Sequence, residues 1–169
     1  MGKNGKQKSN KGIMIAAMAF VALLAVVVIV KNQIIATPDL TAGVKTVKDA
    51  DIVIPVKSVT EKAVFYPAEI NGIKLEVLAV KAPDGTIRTA FNTCQVCYSS
   101  GKGYYKQEGD KLICQNCKNQ FSMGDVEVTR GGCNPVPITS EYKTVDTDSI
   151  TISKDFLSQA TVIFQNWKN

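Results

Sequence analysis

Hydrophobic positions change their spacing three times along this chain. From Ile13 to Val30 they form an unbroken run of 18 residues without glycine, proline or charge. At about 1.5 Å of helical rise per residue, such a run nearly matches a hydrocarbon core of about 30 Å, and it predicts a transmembrane helix. Residues 31–51 are polar and mixed, contain Pro38 and Gly43, and hold no sustained period, which predicts a tether. Strand formers then dominate Ala63–Ile70 and Ile73–Ala82, with Asn71-Gly72 between them. Asn-Gly is a hairpin signal because both central residues must accept positive φ. Pro83-Asp84-Gly85 marks a second turn before Thr86–Phe91, a strand expected to pair back on its predecessor. Lys111–Ile113 and Ser149–Ile152 read as further short strands. Only Lys154–Gln165 has a convincing period of 3.6. Ser153 is placed to cap it, Asp155 suits its first turn, and Phe156, Leu157, Ala160, Phe164 and Trp167 share one face. Such a stripe normally packs against a core.

The expected fold class is therefore α+β: one N-terminal transmembrane helix, then a small β-rich domain with a C-terminal helix. The expected divisions are a basic cytoplasmic segment at 1–12, a signal anchor at 13–30, a tether at 31–51 and an extracytoplasmic domain at 52–169. The last is large enough for one small core. A cleaved secretory signal is the competing reading of the apolar run. The run exceeds the usual apolar region of about 7–15 residues, and no Ala-x-Ala follows it closely.

Charge sharpens that division. The chain carries 20 basic and 15 acidic residues, for a formal net charge of +5. Lys3, Lys6, Lys8 and Lys11 precede the apolar run and Lys31 closes it; beyond Lys31 fifteen basic residues balance fifteen acidic ones. The flanking lysines keep the N-terminus in the cytoplasm and leave everything after Lys31 outside. They suit anionic lipid, and the neutral remainder gives no reason to expect nucleic-acid binding.

The chemistry is concentrated in one stretch. All five cysteines fall there, as Cys94-Gln-Val-Cys97, Cys114-Gln-Asn-Cys117 and Gly131-Gly132-Cys133-Asn134-Pro135. Each Cys-x-x-Cys turn lets two thiolates reach one metal ion, and the spacing between the turns fits a four-thiolate site. Two strand ends, each carrying such a turn, is the layout of zinc-ribbon and rubredoxin-type sites. Cys94, Cys97, Cys114 and Cys117 are thus the expected ligands, with Cys133 a replacement ligand or a redox or transfer thiol. Gly131-Gly132 permits a tight turn with N–H groups near a sulfur. Disulfides are the ordinary fate of exported cysteines, but five leave one unpaired. The chain has no histidine, which excludes a Rieske centre, histidine-ligated haem and histidine-dependent nucleophilic catalysis. What remains is thiolate chemistry with iron–sulfur, iron, zinc or copper(I).

Other signals fail. Asp146-Thr147-Asp148 starts like a calcium loop, but Thr151 and Leu157 stand where glycine and glutamate are required. No glycine loop is placed to cradle phosphate, and no paired carboxylates stand in a hydrolase context. No enzyme activity is expected. Tyr104 and Tyr105 read as packing residues, and Arg88 as an exposed strand charge or a counter-charge to the thiolates.

The run from Asp84 through Arg88, Phe91 and Asn92 to Cys97 resembles the FtrD-like membrane iron–sulfur proteins. So do Gly103-Tyr104, Leu112-Ile113-Cys114-Gln115-Asn116-Cys117 with Phe121, and Gly131-Gly132-Cys133-Asn134-Pro135. The resemblance covers about residues 53–138. It implies an iron–sulfur cluster or iron, electron transfer, and membrane partners such as ferrous-iron uptake systems or exporter-like permeases. Asn92 departs from the pattern, standing where an acidic residue is common.

Three readings follow. The first is a membrane-anchored extracytoplasmic protein that carries electrons or handles metal beside a permease or redox partner. The second is an interaction module folded around a structural zinc held by four cysteines. The third is an iron or copper donor to a permease.

Overall fold

The computed structural model describes residues 43–169. Pairing begins at β1 (Val47–Lys48), a parallel edge to β3 (Val64–Ile70), and β2 (Ile52–Pro55) lies between them in sequence. The Asn71-Gly72 turn forms as expected, with φ of 51° and 77°, and joins β3 to β4 (Ile73–Lys81) in antiparallel register. β5 (Ile87–Cys94) returns along β4 after the turn at Gly85. Then come β6 (Tyr105–Glu108), β7 (Lys111–Cys114) and β8 (Gln120–Ser122) as a three-stranded meander. β9 (Pro135–Pro137) joins the far edge of β5, where proline is tolerated because no further strand needs its N–H. β11 (Ser149–Ile152) pairs with β2 on one side and with β10 (Thr144–Val145) on the other, in a third sheet.

The central sheet, ordered β1-β3-β4-β5-β9, is covered on both faces. This is why Val77, Leu78, Ala79 and Val80 are all buried. Val77 and Ala79 join Ile52, Ile54, Ile150, Ile152 and Leu157 in one core. Leu78 and Val80 point the other way, to Tyr105, Leu112, Met123 and the buried cysteines. One face therefore holds the fold, and the other holds the candidate chemistry.

The α+β expectation is corrected by these elements. The described residues are mostly β-sheet, and the predicted twelve-residue helix is α-helical only over α1 (Lys154–Ala160) before tightening to a 3₁₀ turn at Thr161–Ile163. Three β-branched residues in succession lose side-chain freedom against the preceding helical turn, which disfavours continuing it. Ser153 caps α1 as expected, accepting from the Phe156 N–H at 3.3 Å, and Leu157 and Phe164 are buried. Among the described residues no helix is long and apolar enough to cross a membrane. The predicted span at 13–30 lies outside the described residues.

Candidate metal centre

Three chain segments converge on the second core. β5 ends at Cys94 and β7 ends at Cys114, so each strand delivers the first cysteine of a knuckle into the buried layer. Both thiols are fully buried. In each knuckle two backbone N–H groups point at that first sulfur: those of Val96 and Cys97 at Cys94, and those of Asn116 and Cys117 at Cys114. The Cys97 N–H lies 3.2 Å from the Cys94 Sγ. The third segment arrives through β9, whose Pro135 sits opposite Cys94 across a bulge at the end of β5. That pairing brings Cys133 to the first knuckle.

The sulfurs fall into two overlapping sets. Those of Cys94, Cys97 and Cys114 lie within 4.8 Å of one another, as do those of Cys97, Cys117 and Cys133. Cys97 belongs to both, and its sulfur stands 4.0 Å from that of Cys133. Cys94 and Cys114 are inner, Cys117 is exposed, and Cys133 is half-buried.

Ionisation is shared unevenly. Burial pushes Cys94 upward, but the N–H groups of Cys97 and Val96 and the Tyr105 hydroxyl outweigh it, and the net shift is downward. Burial opposes the Cys117 thiolate too, yet the Asn119 N–H and the neighbouring thiols bring it below the ordinary value. Burial and the adjacent Cys94 raise Cys97. Burial likewise pushes Cys114 up to about 12. Cys133 also rises to about 12, first because its thiol donates to Cys117. One thiol of each knuckle is thus shifted down and the other up, and Cys133 shifts up with the latter.

Several supporting residues had no clear signal in the sequence. Tyr105 is buried opposite Cys114 across β6 and β7. Its hydroxyl donates to the Cys133 carbonyl, and burial followed by the Cys94 contact raises its pKa and keeps it a donor. Gln95 grips the third loop: its Oε1 accepts from the Gly131 N–H at 3.1 Å and its Nε2 donates to the Pro135 carbonyl at 3.2 Å. Gly103 has no room for a Cβ, which would stand 2.3 Å from the Cys97 carbonyl oxygen. The C-terminal residues close over the loop beyond Cys97, with the Lys168 N–H on the Gly101 carbonyl at 2.8 Å and Asn166 Nδ2 on the Ser99 carbonyl at 2.9 Å.

Other candidates settle differently. Asn92 is buried, accepting from the Tyr105 N–H at 2.7 Å and donating to Glu76 Oε2 at 2.6 Å. It braces the start of β6. Arg88 pairs with Asp84 in the hairpin turn, so its charge is met there. Tyr104 packs edge-on against Trp167, as a packing residue should.

The donor set fits a thiolate-held metal or cluster. Five sulfurs gather in two overlapping trios, backbone N–H groups are aimed at those of Cys94 and Cys114, and two buried oxygens beside cysteines, Thr93 Oγ1 and Asn134 Oδ1, have no partner among the described residues. The family model for FtrD-like membrane iron–sulfur containing proteins matches residues 45–164. The chain belongs to that family. No curated protein and no solved structure matches it. The description of the FtrD-like family is of an iron–sulfur containing membrane protein, and the cysteine groups of this member could hold a metal.

Proposed function

We propose that this FtrD-like domain is an extracytoplasmic iron–sulfur or thiolate–metal protein that transfers electrons or handles metal beside a membrane transport system. The convergence of five sulfurs from three separate segments carries the reading. Cys94, Cys97, Cys114, Cys117 and Cys133 are the ligand set. An iron–sulfur group bound there supplies reversible one-electron chemistry. The chain's own contribution is to bury Cys94 and Cys114, aim N–H groups at their sulfurs and leave Cys117 at the surface. N–H···S contacts and burial are what tune such a group's potential. The apolar run at 13–30 and its flanking lysines support an anchor with the domain outside.

Anaerobic purification of the full chain in detergent tests this. The expected outcome is a coloured protein containing iron and sulfide, whose visible absorption bleaches with reductant. A colourless protein with stoichiometric zinc overturns the electron-transfer reading in favour of a structural site, and rapid metal loss to a chelator favours a donor.

A further inference from the structure

We infer that the exposed side of the cysteine cluster, around Cys117, is a docking face for a protein partner that presents an acidic surface. The face combines two exposed apolar side chains, Val96 and Tyr98, with three exposed basic ones, Lys102, Lys118 and Arg130. This rests on the proposed exchange of electrons or metal and adds the kind of partner that reaches the site.

The fold gathers these residues. Val96 sits inside the first knuckle and Tyr98 directly after it, 60% and 40% exposed. Lys118 follows Cys117, and its N–H donates to the Cys114 carbonyl at 3.0 Å. Lys102 precedes Gly103, whose carbonyl accepts from the Cys94 N–H at 2.6 Å. Arg130 precedes Gly131, whose N–H is held by Gln95 of the first knuckle at 3.1 Å. Each cysteine-bearing segment thus contributes one cation, and the sulfur trios join the three segments.

The charge is segregated. Residues 94–107, 111–124 and 128–140 hold five basic residues and no acidic one, although the chain beyond Lys31 is neutral. Among the described residues Lys102, Lys118 and Arg130 form no ion pair. Cations this exposed do little for buried thiolates, because water and salt screen them. At a surface they steer an oppositely charged partner and fix its orientation. Apolar side chains within a polar border are the ordinary make-up of a protein contact. Exchange through Cys117 also needs a partner that touches it, which lipid headgroups over the same face would prevent.

The test uses the full chain in detergent, with decaglutamate as the probe and a carbodiimide that joins a glutamate carboxyl to a lysine amine with loss of water. Digestion and mass spectrometry locate the coupled lysines. Lys62 and Lys81 serve as references, because they are also exposed but lie at the opposite end of the β3–β4–β5 meander from Cys94. Lys102 and Lys118 should couple about fivefold more than these, and rising salt should erase the preference. Arg130→Glu, with the circular dichroism of the parent, should cut coupling at Lys102 and Lys118 and leave Lys62 and Lys81 unchanged. In vesicles of neutral lipid, and of neutral lipid mixed with anionic lipid, the preference should be the same. Uniform coupling at all exposed lysines, or an unchanged preference in Arg130→Glu, overturns the inference. So does loss of the preference in anionic vesicles alone, which would give the face to lipid. Preferred coupling at Lys102 and Lys118 in a chain that purifies without iron would sink the electron-transfer reading alone. Iron and sulfide in a chain whose lysines couple uniformly would sink the docking face alone.

Discussion

Two kinds of glycine separate steric from conformational constraint at the residue scale. At Gly131 and Gly132 no atom of the described residues would lie within 4 Å of a Cβ, but φ is +83° and +58°. A side chain there meets only left-handed strain, roughly 1–2 kcal/mol. At Gly103 the obstacle is the Cys97 carbonyl, with its oxygen at 2.3 Å and its carbon at 2.5 Å, and backbone cannot swing aside. Gly103→Ala should therefore displace the first knuckle, lower the melting temperature and reduce metal loading. Gly131→Ala should cost stability while loading stays near the parent's. Metal analysis and thermal melts on the pair decide; parental loading and melting in Gly103→Ala would refute the contact. The cysteine spacing marked out in the sequence the five sulfurs that the fold brings together. Gln95 and Tyr105 were not legible there, because their role depends on β9 lying beside β5, and no local pattern encodes a pairing between Cys94 and Pro135.

Local signals did best at the scale of elements. The Asn71-Gly72 hairpin, the turn at Gly85 and the Ser153 cap are each specified by residues within a few positions of one another. β1, β9 and β10 escape notice because two or three residues cannot display a period. Asn71 also anchors its hairpin to α1, donating from Nδ2 to Ser158 Oγ at 2.8 Å. Asn71→Val should thus weaken folding by about 1–2 kcal/mol from the left-handed strain alone. Denaturant unfolding of the metal-free chain checks this; metal loss without lost stability would contradict it. At the next turn the Thr86 hydroxyl, the Thr86 N–H and Arg88 hold Asp84 down from 3.8 to about 2. A depressed carboxylate contributes stability that is present above its unfolded pKa and is lost as pH falls through the folded one. Asp84→Asn should then unfold with a shallower pH dependence between 3.8 and about 2. Acid titration of metal-free parent and variant by circular dichroism measures it, and identical slopes would remove the contribution.

For the whole molecule, the two cores divide the consequences of metal loss. The first, around Ile54, Val77 and Leu157, contains no cysteine, while the second includes Cys94, Cys97 and Cys114. A ligand bound only by the folded state stabilises it by about 2.7 kcal/mol at a hundredfold excess over Kd. Removing metal should lower the melting temperature, with lost amide protection concentrated in β6, β7 and β8. Hydrogen exchange resolves this by strand; uniform loss across β3 and β4 would mean that the two faces unfold together. The mostly-β architecture was hidden at this scale because covering both faces of one sheet takes strands distant in sequence, and the predicted helix gave way at Thr161.

The closure of residues 166–169 over the loop after Cys97 has a practical side. A Cβ at Gly101 would meet the Asn169 carbonyl oxygen at 2.9 Å, and the Trp167 indole donates to the Asn92 carbonyl at 2.8 Å. A reporter or affinity tag joined directly after Asn169 would start against the loop that walls the cysteine cluster. Its spectra and stoichiometries would then describe the fusion as much as the protein. A flexible spacer keeps the two apart.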